Sequence, residues 1–214
     1  MSAELLRFGL TAFITLLVVV DPPGIVPVFV ALTEGDGAAQ RRATGTRAVM
    51  IAFLVALFFL LAGRSVLAYL GVTVHAFTIS GGVLLFATAL PMLFGHRGGL
   101  QAPEREERPT AGEDVAVFPL AIPLLSGPGA IATILLLTSQ TNGDLARLAV
   151  VGVAVAAVYA VTLAALHLGG GLMARVGAGK VHIITRVMGI ILAALAVQFI
   201  LNGITAYYET LVNR

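Results

Sequence analysis

The chain has no cysteine and no tryptophan, and only 11% of its 214 residues are charged. Without cysteine there is no disulfide and no thiolate metal site, and thiol usage says nothing about compartment. A soluble domain carries roughly 25% charged residues, so this chain has too few to cover a water-facing surface. The formal net charge of +2 is scattered rather than clustered, which excludes a basic nucleic-acid face. The four histidines, His75, His96, His167 and His182, show no metal-ligand spacing, so no metal site is expected. What the chain does have is apolar bulk, with 58% hydrophobic residues and a mean hydropathy of +0.99. That combination specifies an all-α polytopic membrane protein.

A spanning helix needs about 20 mostly apolar residues. Six segments meet that length, at about Leu5–Leu32, Ala48–Leu70, Ala76–Phe94, Val115–Leu137, Leu148–Leu168 and Ile183–Ala206. The longest polar links are Glu34–Arg47 and Gly95–Asp114. The second divides the chain into a first three-span unit (1–95), a loop (96–114) and a second three-span unit (115–214). Glu4 beside Arg7 and the lack of a small-residue cleavage site indicate that the first segment is retained rather than cleaved as a signal. With alternating crossings, nine of the thirteen Lys and Arg residues fall on one side. By the positive-inside rule that side is cytoplasmic, with both termini outside.

The two units resemble each other. Asp21-Pro22-Pro23-Gly24-Ile25 aligns with Ser126-Gly127-Pro128-Gly129-Ala130 at an offset of 105, as does Thr33 with Thr138. Thr78 and Gly82 align with Thr185 and Gly189 at an offset of 107. Three spans per unit is an odd number, so the two copies are expected in opposite orientations. Inverted repeats of this kind are a recurring architecture of secondary transporters.

Each unit carries a Pro/Gly break in its first span. Pro22 and Pro23 lack amide donors and disfavour helix in the preceding residue, while Gly24 tolerates unusual dihedrals. Backbone groups freed at such a break must be buried in protein or line a wet cavity. Short helices beginning at Gly24 and Gly129 would direct amides and positive dipole ends inward, a setting suited to a carboxylate. Asp21 is the acidic residue flanked on both sides by long apolar runs, which marks it as a functional candidate. It also fits as the amino-terminal cap of the helix after the break. The candidate substrate site is therefore Asp21, Pro22, Pro23, Gly24, Ser126, Gly127, Pro128 and Gly129. Thr78, Ser80, Arg186, Gln198 and Asn202 are supporting candidates, with interhelical hydrogen bonding or interfacial anchoring as their plainer roles.

Three stretches resemble the MarC family of bacterial and archaeal inner-membrane proteins. They are Asp21-Pro-Pro-Gly-Ile-Val-Pro27, Pro119 through Ile131, and Thr185-Arg-Val-Met-Gly189 followed by Ala196 through Gly203. The resemblance covers essentially the whole chain. It implies six spans and transport of small neutral amino acids such as glycine and alanine, driven by a proton or Na⁺ gradient and without a bound cofactor. It places the substrate core at Asp21–Gly24 and Ser126–Gly129.

Other classes fit less well. A channel would show rings of charge or filter-like carbonyl loops. An intramembrane protease would need a His pair with Glu, or two facing Asp residues, and neither is present in the sequence. No enzymatic activity is therefore expected. An exporter of another small metabolite or drug, and a non-transporting assembly factor, are the alternatives to amino-acid transport. The expected partners are a small amino-acid substrate and the lipid bilayer.

Overall fold

The computed structural model describes residues 3–94, 114–176 and 178–212, and contains no strand among them. The first half consists of α1 (Ala3–Val20), α2 (Pro22–Leu32), α3 (Ala38–Tyr69) and α4 (Val74–Phe94). The second half begins with an irregular arm, Ala116–Leu125. It continues with α5 (Pro128–Ser139), α6 (Leu145–Val176) and α7 (Ala178–Val212). Among the described residues, five stretches are long and apolar enough to cross a bilayer, namely Ala3–Leu32, Ala38–Tyr69, Val74–Phe94, Leu145–Gly169 and Thr185–Val212. The arm and α5, bent by 50° at their junction, form a sixth when taken as one span.

Two of the expected boundaries change. The link Glu34–Arg47 is mostly helix, because α3 starts at Ala38 after Gly37 and runs a polar first stretch before turning apolar. Ala, Gln and Arg favour helix without being hydrophobic, so hydropathy alone misses this extension. The fourth segment is not one helix with a single break, since Phe118 and Ile122 adopt extended dihedrals within the arm. The bonds Phe118–Pro119 and Ile122–Pro123 are both cis. The expected loop 96–114 lies outside the described residues apart from Asp114.

Packing follows a reciprocal pattern. The first-span helices α1 and α2 lie against α6, while the arm and α5 lie against α3. The third spans, α4 and α7, form the most extensive helix pair and run antiparallel. Glycines bring that pair together. A Cβ on Gly82 would fall 2.7 Å from the Ala196 carbonyl oxygen, and one on Gly189 would fall 3.4 Å from the Ala89 carbonyl oxygen. Gly82 and Gly189 occupy matching places in the two halves, and so do Ala89 and Ala196. The contacts are thus compatible with an inverted repeat about an axis between α4 and α7.

The core is apolar and tightly packed, with Leu16, Phe29, Leu120, Leu125, Leu135, Val155 and Leu166 almost completely buried. Large apolar side chains also cover the outside. Met50, Leu54, Phe58 and Leu61 form an exposed stripe along α3, as a lipid-facing surface requires. Polar contacts gather at one end of the bundle. There Arg41 donates to the Thr33 side chain and carbonyl at 3.1 and 3.0 Å, and Arg47 pairs with Asp114. Thr46 meets His167 at 3.0 Å at that same end.

Candidate functional site

The first break is one residue wide. Asp21 takes left-handed dihedrals (φ 50°, ψ 61°), ending α1 and starting α2 immediately, with Pro22 as the first helical residue. Aspartate tolerates this region better than most residues because its short side chain bonds locally. Its Oδ1 accepts from the Gly24 amide at 3.3 Å, and its carbonyl accepts from Gly24 and Ile25 at 3.0 and 3.1 Å. Gly24 is needed for this fold-over, because a Cβ there would lie 2.1 Å from the Asp21 carboxylate. The carboxylate is therefore a helix cap. It is 8% exposed, and among the described residues no basic side chain lies within ion-pair reach. A buried carboxylate without a counter-charge is costly in a membrane, so capping does not by itself account for its charge.

The second break is wider and held differently. Ser126 lies between the irregular arm and α5, whose first helical residue is Pro128. The Ser126 hydroxyl donates to the Ala52 carbonyl of α3 at 2.9 Å and stands 3.3 Å from the Tyr159 hydroxyl of α6. Tyr159 in turn donates to the Leu125 carbonyl at 3.1 Å, and its ring packs edge-on against Phe53. Tyr159 thus satisfies a backbone oxygen freed at the break, as buried backbone in lipid demands. In the sequence, one tyrosine within an apolar run resembles ordinary core.

A cavity of about 220 Å³ adjoins the second break. Its walls are Val19 of α1, Leu84, Leu85 and Thr88 of α4, Pro123 and Leu124 of the arm, and Gly127–Ala130 at the start of α5. Of the sequence-selected residues, Gly127, Pro128 and Gly129 line it directly. Val19 brings the first broken span to the same space, two residues ahead of Asp21. The lining is mainly apolar, with backbone amides at the α5 start and the Thr88 hydroxyl as polar features. Thr88 donates to the Leu85 carbonyl at 2.7 Å.

The supporting candidates do not gather at this cavity. Thr78 is buried but donates to its own Val74 carbonyl at 2.8 Å. Ser80 and Arg186 are exposed. Gln198 and Asn202 are exposed on α7 and bonded to each other at 2.7 Å. Thr33 and Thr138, which match in the repeat, each donate to the carbonyl four residues back, at 2.7 and 2.8 Å. Such bonds satisfy a hydroxyl inside its own helix.

The profile for MarC family integral membrane proteins matches residues 6–208. The chain is 35% identical over 202 residues to a UPF0056 membrane protein of Archaeoglobus fulgidus, covering 94% of each chain. It is 33% identical to the UPF0056 membrane protein YvbG of Bacillus subtilis, covering 96% of this chain and 98% of that one. It is 34% identical to the UPF0056 inner membrane protein YhgN of Escherichia coli K12, covering 94% and 98%. No solved structure matches the chain. With five spanning helices, or six spans when the bent pair is counted as one, and a match over nearly its full length, the chain is a multi-pass integral membrane protein of the MarC family.

Proposed function

We propose that this protein is a secondary active transporter of small neutral amino acids, of the glycine and alanine class, working by alternating access. The observation that carries the reading is the shared cavity, where the start of α5 and the end of α1 meet beside two broken spans. Broken helices at matching places in inverted halves are how transporters expose backbone dipoles to a solute. The amides at Gly129 and Ala130 suit a substrate carboxylate. Asp21 supplies negative charge for an ammonium group or for a coupling proton or Na⁺. A volume near 220 Å³ admits a small solute, and the apolar wall of Leu84, Leu85 and Leu124 disfavours a charged side chain.

In this reading the protein resides in the cytoplasmic (inner) membrane, where the name of the Escherichia coli relative puts that protein. The end bearing Arg41, Arg42 and Arg47 faces the cytoplasm and both termini face outward. The protein carries out no covalent chemistry. The apolar lining also favours a second reading, export of another small, weakly polar metabolite or drug through the same cavity. Uptake and competition in proteoliposomes separate the two. Glycine and alanine should compete with each other for entry, whereas an exporter of apolar compounds would ignore both.

A further inference from the structure

The reciprocal packing is most unequal where the third spans meet the two breaks. In the first half, α4 sits directly on the second break, and a Cβ on Gly129 would fall 2.2 Å from a Leu85 methyl. One turn away, a Cβ on Gly81 would fall 2.3 Å from the Ala132 Cβ. The repeat counterpart of the Leu85–Gly129 contact is Leu192 of α7 on Gly24 of α2. That contact is not made to the same closeness. The three atoms nearest a Cβ on Gly24 all belong to Asp21, the third at 3.3 Å, so no atom of α7 comes closer. Gly24 is half-buried where Gly129 is buried, and α7 meets α2 only sparsely while α4 and α5 pack extensively. The pairings with the second spans keep the symmetry, with α1 and α2 on α6 matching the arm and α5 on α3.

We propose that this conformation is one of two, with α4 closed on the second break through Leu85 and α7 not closed on the first. In the other, α7 closes on α2 through Leu192, and α4 lifts from α5 to uncover Gly129 and its cavity. This two-state gate rests on the transport reading for its purpose, but its geometry is independent of any substrate. Two packings related by the repeat should lie close in free energy, so small changes at one gate shift the population between them. The halves are not identical, however. Where Gly81 meets Ala132, the counterpart pair is Met188 and Pro27, so closure of α7 is bulkier and the Leu85-closed state is favoured at rest.

The absence of cysteine makes the test direct. One variant carries cysteines at Thr88 and Ala130, which line the cavity at the second break, and a second carries them at the counterparts Leu195 and Ile25. Both are treated with a short thiol-to-thiol cross-linker in native membranes. Both pairs should cross-link, each lock should stop exchange, and Gly81→Ala should raise the Leu195–Ile25 product about fivefold or more relative to the other. Absence of the Leu195–Ile25 product alongside efficient Thr88–Ala130 linkage would overturn the proposal. Should a double variant fail to insert, single cysteines at Thr88 and Leu195 give the same reading. Gly81→Ala should speed labelling at Thr88 and slow it at Leu195, and unchanged rates at both would equally overturn it. Exchange of the two cross-links in a protein that moves neither glycine nor alanine would keep the gate and reject the substrate class.

Discussion

The hydroxyls of Ser126 and Tyr159 stand 3.3 Å apart, and between them they satisfy the carbonyls of Ala52 and Leu125. This pair ties the second break to α3 and α6 at once. Tyr159→Phe removes the donor and leaves the Leu125 carbonyl without it, a loss of about 1–3 kcal/mol. Ser126→Ala removes one neutral bond and should cost about 1 kcal/mol. Thermal unfolding in detergent should therefore fall further for Tyr159→Phe, and the double variant should be less destabilised than the sum. Strict additivity would mean the two hydroxyls act independently.

Asp21→Asn separates charge from capping. Asparagine caps helices as well as aspartate and is also tolerated in the left-handed region. The variant should insert and melt like the parent, yet lose most gradient-driven transport at every pH. Ser126→Ala should reduce transport less, because no charge is removed. Parental rate and pH dependence in Asp21→Asn would show that capping is the residue's whole role.

The α4–α7 seam should be equally sensitive from both sides. Gly82→Val places methyl groups on the Ala196 carbonyl, and Gly189→Val presses on Met92 and the Ala89 carbonyl. Overpacking of this kind costs about 1–3 kcal/mol. Both variants should lower the melting temperature by similar amounts, while Gly171→Val, within α6 and with open space around it, should not. A large effect at only one glycine would contradict the symmetric seam.

Topology can be read with single cysteines in sealed vesicles of known orientation. Asp36, beside the Arg41 end, should label only from the cytoplasmic side, and Asn142, in the turn between α5 and α6, only from outside. Labelling of Asp36 from outside would reverse the assigned orientation.

Much of this architecture is legible in the sequence because the bilayer imposes simple rules on length and hydropathy. Asp21-Pro-Pro-Gly announces its break through missing amides, and Gly24 announces the space that the carboxylate needs. The width of the second break is harder to read. Pro119 and Pro123, four residues apart, indicate disruption, but the extended turns at Phe118 and Ile122 depend on where α3 and α6 offer support. Tyr159 is invisible for the same reason, since its partner lies 34 residues away. Gln198 and Asn202 mislead in the other direction. Their spacing correctly places them on one face of α7, but only packing shows that the face points away from the cavity.

Reconstituted protein in proteoliposomes provides the most direct test of transport. Labelled glycine and alanine should enter faster than in protein-free vesicles under an imposed proton or Na⁺ gradient. Excess unlabelled alanine inside should drive counterflow, and Asp21→Asn should remove most of the gradient-driven component. Entry at the protein-free rate under both gradients, with no counterflow, would contradict the account.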